Sequence, residues 1–286
     1  MSMDFHSPTT LDEAVEIKAA HPDAMPIAGG TDVMVELNFD VHRPAALLDL
    51  NRVAELAEWD GDDARVRIGA GVPYVRIINE IGPILPGLAI ASRTVGSPQI
   101  RNRGTLGGNL GAASPAGDGH PVLMASNATV EIASACGRRD VAIADFFTGV
   151  KRNCLAEDEL ITAIRVPRIE GSQQFSKIGT RNAMVIAVCA LGLVLDAARR
   201  RVGTGIGSAA PTPVRAPEAE EFLAAELDWD KRGPLPEPVA RRFGELVAAA
   251  ARPIDDVRGS ADYRRHALSV MARRTLGWAW KELRCA

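Results

Sequence analysis

TVGSPQIRNRGTLGGNLGAASPAGDGHP, residues 94–121, sets Gly96, Gly104, Gly107, Gly108, Gly111, Gly117 and Gly119 among serine, threonine and asparagine, with almost no bulky side chain between them. Glycine at this density serves backbone that approaches another group closely or takes positive φ. Amides freed in this way can converge on an anion, as in phosphate-binding nests. A shorter run of the same character lies upstream: Pro26, Ile27, Ala28, Gly29, Gly30, Thr31 and Asp32. Together the two runs predict a site in which two loops grip the diphosphate of one nucleotide-type cofactor.

Around the first run the pattern is strand (25–28), glycine turn, then helix (33–39), an order that presents free N–H groups to a phosphate. Asp32 is placed to cap that helix, a role that needs no catalytic function. Neither run contains lysine and no GxxxxGK[ST] motif occurs, which argues against ATP or GTP hydrolysis. Gly203, Gly205 and Gly207 superficially resemble a dinucleotide fingerprint. Pro211 and Pro213 stand where its helix would follow, so that reading is set aside.

The chain has 286 residues, enough for about two domains. It is 47% hydrophobic and 24% charged, ordinary for a globular protein with a sizeable core. A formal charge of −3 argues against nucleic-acid binding by phosphate neutralisation. The longest apolar run, 183–195, is too short to span a bilayer and reads as a buried strand. The first ten residues lack the basic start and apolar core of a signal peptide, so a cytoplasmic location is expected. Cys136, Cys154, Cys189 and Cys285 form no CxxC pair, and the histidines have no ligand spacing, so no metal or cluster is expected in this chain.

Thr10 and Glu13 read as a capping box for a first short helix. Strands are expected at 46–50 and 65–72, a helix from Pro73 to about 81, a helix at 120–127, a hairpin of 129–134 with 139–143, and a strand at 159–166. A linker at 168–174 follows. Three long strands (175–181, 184–196, 202–209) then suit an antiparallel meander, followed by helices at 218–227, 239–251 and 263–283. In the last helix Leu268, Met271, Thr275 and Trp278 form a core stripe. Arg264, Arg265, Arg273 and Arg274 read as a solvated face, with docking to a partner subunit as the alternative.

At this level of detail Ala28 to Asp32, then Gly104, Thr105, Leu106, Gly107, Gly108 and Asn109, then Ser114, Pro115, Ala116, Gly117 and Asp118 resemble the FAD-binding subunit of the molybdenum hydroxylases. That is the xanthine dehydrogenase and carbon monoxide dehydrogenase family. Residues 253–264, PIDDVRGSADYR, resemble that family's C-terminal flavoprotein domain. Residues 98–102, the SPAGD segment and Phe147, Thr148 and Gly149 most resemble bacterial xanthine dehydrogenase FAD subunits.

The resemblance implies an α+β fold of the vanillyl-alcohol-oxidase type. Its FAD-binding domain would span 1–167, in subdomains of about 1–60 and 61–167. A C-terminal domain, 172–286, would hold a three-stranded antiparallel sheet and helices. Ile27 lies in the first loop. Ala28, Gly29, Gly30, Thr31 and Asp32, with Thr105, Gly107, Gly108 and Asn109, would line the FAD diphosphate and ribityl chain, mostly through backbone amides. Ile27 and Ser114, the latter in the third matching segment, are counted among the cofactor-binding residues. Asp118 would accept from the adenosine ribose, or be a turn residue. Ile100 and Leu160 would pack near the rings, or be ordinary core. Lys177 would stand near the flavin ring, or be an exposed strand lysine.

The implied partners are a molybdenum-binding large subunit, carrying the molybdenum cofactor, and a [2Fe–2S] small subunit, in a dimer of heterotrimers. Reduced FAD would pass its electrons to NAD⁺, or to O₂ or another acceptor. No cysteine group could hold the extra Fe–S cluster of the aromatic acyl-CoA branch. Thr31 and Asp32 stand where the carbon monoxide branch has His-Ser. A related hydroxylase acting on nicotine, an aldehyde, carbon monoxide or another N-heterocycle is the alternative. A nucleotide-binding scaffold without redox chemistry is the alternative of another class.

Overall fold

The computed structural model describes residues 3–41 and 43–285. Its first layer is a small parallel sheet built from β1 (Asp4–His6), α1 (Leu11–Ala20), β2 (Met25–Ile27), α2 (Val33–Asn38) and β3 (Ala46–Asp49), in the order β1-β3-β2. The cap of α1 is as read on one side: Thr10 Oγ1 accepts from the Glu13 amide at 3.2 Å. The reciprocal bond is displaced, because the Glu13 carboxylate accepts from the Thr9 amide at 2.8 Å. Asp32 does not cap α2. Its backbone is already helical (φ −112°, ψ −54°), not the extended form that turns a capping side chain back.

Then follow α3 (Ala54–Ala57), β4 (Trp59–Gly61), β5 (Arg65–Gly69), α4 (Tyr74–Arg76) running into a π-helical turn (Ile77–Ile81), and α5 (Pro86–Arg93). The glycine-rich centre is not open loop. Its residues form α6 (Pro98–Arg103), α7 (Leu106–Ala112) and the start of α8 (Gly119–Ser126). Ser97 and Thr105 cap the first two through their hydroxyls, and Pro98 occupies the first helical position. The second glycine run therefore follows the helix α5.

After α8 come β6 (Thr129–Ser134), β7 (Gly137–Ala142), α9 (Ile143–Phe146), the small pair β8 (Phe147–Gly149) and β9 (Arg152–Asn153), and β10 (Leu160–Pro167). The large strands form an antiparallel sheet, β4-β5-β10-β6-β7. β4 belongs to this second sheet and straddles the division expected at 60/61.

The C-terminal part is a meander of β11 (Gly171–Ile178), β12 (Cys189–Asp196) and β13 (Arg201–Gly207), then α10 (Pro217–Glu226), α11 (Glu237–Ala250) and α12 (Ala261–Cys285). β11 begins inside the expected linker. Its polar residues hid it: Ser172 and Gln173 are buried, and Ser172 Oγ donates to Glu282. Conversely, 184–188 is not strand. Met184 takes φ 49° and its carbonyl accepts from Arg181 Nε at 3.0 Å, turning the chain before β12.

Two readings of α12 are corrected. Trp278 is 56% exposed, and Trp280 is the buried one, donating through its indole N–H to Gly233 O at 2.8 Å. Arg264 is buried and bonded to Ser208 O and Asp256, so it is no part of a solvated face.

The glycines of β13 have a packing role. A Cβ on Gly203 would lie 2.0 Å from Ala125 O, and one on Gly205 2.0 Å from Pro121 O. Their absence lets α8, buried along its whole length, lie flat on the meander. This contact fastens the C-terminal sheet to the glycine-rich centre.

Candidate functional site

The first glycine run leaves β2 at Ile27 and turns at Gly30, whose φ of +72° favours glycine. The Ile27 side chain lies beside that turn. The Ala28 carbonyl is pinned by Asn51 Nδ2 at 2.8 Å. Among the described residues, the amides of Gly29, Gly30, Thr31 and Asp32 donate to no acceptor in the chain. Four successive free donors are available to an anion, the resource a backbone nest uses.

The second run meets the first backbone to backbone. A Cβ on Gly29 would lie 1.8 Å from Arg103 O and 2.9 Å from Gly104 N. Thr31 Oγ1 lies 3.4 Å from the point where a Gly104 Cβ would stand. The two runs are not equivalent, however. Gly107 donates to Ala70 O at 3.2 Å, Gly108 to Thr105 Oγ1 at 2.9 Å and Asn109 to Thr105 O at 3.1 Å. These three amides are used by the fold, whereas the Thr105 amide donates to no acceptor among the described residues. The second run also offers close approach: Gly108 is exposed, and a Cβ there would meet only Thr105 Oγ1.

The third segment is tied across to the C-terminal sheet. Ser114 Oγ accepts from the Ala116 amide at 3.3 Å, and Pro115 O accepts from Ser208 at 2.8 Å. Asp118 and Lys177 form a buried ion pair, Nζ to Oδ2 at 2.6 Å. Thr94 Oγ1 donates to the same carboxylate oxygen at 3.0 Å, and Lys177 Nζ donates to Thr94 O at 3.2 Å. Burial pushes the Asp118 carboxyl up, and the Lys177 ammonium and Thr94 hydroxyl oppose that shift. Lys177 is thus neither exposed nor a free cation.

The structure brings together two residues whose roles the resemblance gave separately: Lys177 Nζ and Asp118 Oδ2 stand 2.6 Å apart.

Ile100 is half-buried beside Gly96 on α6, whereas Leu160 is buried in the core on β10. Asp32 is exposed. Asn51, Thr94 and Arg103 were not singled out as site residues from sequence. Each comes from a turn or helix end with no motif of its own.

A dinucleotide of the FAD type fits this chemistry. Free amides suit a diphosphate, and unpartnered buried acceptors at Asn109 Oδ1 and Asp118 Oδ1 suit hydroxyl donors. The fold and site together define a flavin-binding α+β domain with a sheet-and-helix domain packed on its glycine-rich centre.

Residues 1–169 match the FAD binding domain in molybdopterin dehydrogenase, and residues 174–279 the CO dehydrogenase flavoprotein C-terminal domain. The nicotine 6-hydroxylase medium subunit of Paenarthrobacter nicotinovorans is 31% identical, over 95% of each chain. The putative xanthine dehydrogenase FAD-binding subunit of Escherichia coli K12 is also 31% identical, over 96% of this chain and 95% of that one. Carbon monoxide dehydrogenase from Hydrogenophaga pseudoflava superimposes with a TM-score of 0.90 at 27% identity, covering 99% of both chains. The chain belongs to this family: it is an FAD-binding medium subunit of a molybdenum hydroxylase, an oxidoreductase component. Identity does not separate the purine branch from the nicotine branch.

Proposed function

We propose that this chain holds one FAD and carries electrons from a [2Fe–2S] small subunit to NAD⁺, in an enzyme whose molybdenum-binding large subunit hydroxylates xanthine. The observation that carries the reading is the meeting of two glycine runs at Gly29 and Arg103, beside four free amides. Gly29 to Asp32 would hold the diphosphate, and Gly108 would let it come close. Thr31, Thr105 and Asn109 would stand along the ribityl chain. The Lys177–Asp118 pair is assigned to the flavin end, where it would hold the ring in place by hydrogen bonding without adding net charge. The bound cofactor supplies the redox chemistry; this chain's residues bind it, orient it and shape its electrostatics.

A second reading, a nicotine-type N-heterocycle as substrate, is favoured by the equal identity to the nicotine 6-hydroxylase subunit. The test is co-purification with the molybdenum and iron–sulfur chains, followed by anaerobic addition of xanthine or nicotine. Bleaching of the visible flavin band by xanthine supports the first reading, and bleaching by nicotine alone supports the second. NAD⁺ added afterwards restores the band if it is the acceptor. A dimer of heterotrimers is the assembly expected on sizing the purified complex.

A further inference from the structure

Asn51 stands in the turn after β3, outside both glycine runs, and both polar atoms of its side chain are engaged. Nδ2 donates to Ala28 O at 2.8 Å and to Asp49 Oδ1. Oδ1 accepts from Arg103 Nη2 at 3.3 Å. A side-chain amide has two hydrogens and one oxygen to place, so these three bonds leave it a single orientation. Leucine would fill nearly the same space and make none of them.

The consequence falls on the first glycine run. A trans peptide is planar, with its carbonyl and its N–H pointing to opposite sides. Holding Ala28 O on Asn51 therefore turns the Gly29 N–H away from Asn51, and that amide donates to no acceptor among the described residues. The preceding carbonyl is held by the same turn, Ile27 O accepting from the Leu50 amide at 2.9 Å. Without the Asn51 bond the next peptide turns more freely, since Gly29 has no Cβ to resist it. Arg103 bears on that peptide twice. Its carbonyl oxygen lies 1.8 Å from where a Gly29 Cβ would stand, and its guanidinium orients Asn51.

We propose that Asn51 is a positioning residue of the cofactor site, oriented by Arg103, and that it aims the Gly29 amide at the diphosphate. The inference rests on the flavin reading of the site. It gives the meeting of the two runs a purpose: the end of α6 sets the direction of a donor in the first run. Both side chains act through the peptide between Ala28 and Gly29 and not by touching the cofactor.

The test is a double-mutant cycle on the full chain. Its readouts are FAD affinity, the phosphorus NMR resonances of bound FAD and the melting temperature of the FAD-free chain. Asn51→Leu removes one neutral donor and is expected to weaken FAD binding about fivefold. Bound FAD should then show displaced phosphorus resonances under an unchanged visible flavin band. Asn51 is exposed, so the melting temperature should move by about 2 °C at most. Arg103→Met should weaken FAD binding less than Asn51→Leu does, and should add nothing in the Asn51→Leu background, because it acts through Asn51. Losses that multiply would put Arg103 on the diphosphate itself and overturn the inference. An Asn51→Leu chain whose bound FAD keeps the wild-type phosphorus resonances overturns it too, whatever its affinity. Wild-type chain that takes up no FAD overturns the flavin reading itself, and this inference with it.

Discussion

Replacing Gly29 by alanine tests whether the two glycine runs meet as described. The new methyl carbon would stand 1.8 Å from Arg103 O and 2.3 Å from Arg103 C. Non-bonded carbons settle at about 3.5–4.0 Å, so the runs must separate by about 1.5 Å or more. The obstructing atoms are backbone and cannot rotate away. Overpacking of this kind costs typically ~1–3 kcal/mol, and the upper end applies here. For a chain of this size ~3 kcal/mol lowers the melting temperature by about 6–12 °C. Gly108→Ala is the matched control. Its methyl would meet only Thr105 Oγ1, at 3.1 Å, and alanine is preferred to glycine in a helix by ~0.5–1 kcal/mol. Gly29→Ala is therefore expected to lose both stability and FAD, whereas Gly108→Ala keeps its melting temperature and loses affinity alone. Thermal unfolding and FAD titration of both variants read this out. A Gly29→Ala chain that melts with the wild type and binds FAD fully would refute the contact between the runs.

Burial holds the His120 imidazole down to about 4, against an ordinary 6.5, while its Nε2 donates to Asn109 O at 3.1 Å. Between those values the unfolded chain binds a proton that the folded chain refuses. This contribution is therefore complete above pH 6.5 and falls as pH drops toward 4, by about 3 kcal/mol in all. Urea unfolding at pH 7.5 and 5 should show a steeper loss in the wild type than in His120→Gln. Gly205→Ala would set a methyl 2.0 Å from Pro121 O and is expected to loosen α8 from the meander, raising amide exchange in both. Lys177→Met leaves the Asp118 carboxylate buried without its cation, at a cost of ~3–5 kcal/mol in stability. Unfolding midpoints that match the wild type would deny that the pair is buried.

Much of this fold is legible in the chain because its signals are local. Thr10 before an apolar face and alternation in 65–72 each point to their element, though the strand itself ends at Gly69. What misled was polar sequence doing buried work. Ser172 and Gln173 read as linker, yet they lie in β11, where Glu282 satisfies the serine. Glycine was ambiguous in a similar way. At Gly30 it marks positive φ, at Gly29 and Gly205 a backbone pressed against another backbone. Only the partner chain segment, 74 residues away for Gly29, distinguishes the two. The ion pair of Asp118 with Lys177 was beyond the sequence for the same reason. Each residue was singled out separately, and only the packing of α8 on the meander brings them together.

The central claim is that this chain holds FAD between its two glycine runs. The most direct measurement is the visible absorbance of the purified chain, with identification of the cofactor released on denaturation. The account predicts a flavin spectrum and FAD at about one per chain. A chain that stays colourless after reconstitution with excess FAD would contradict it.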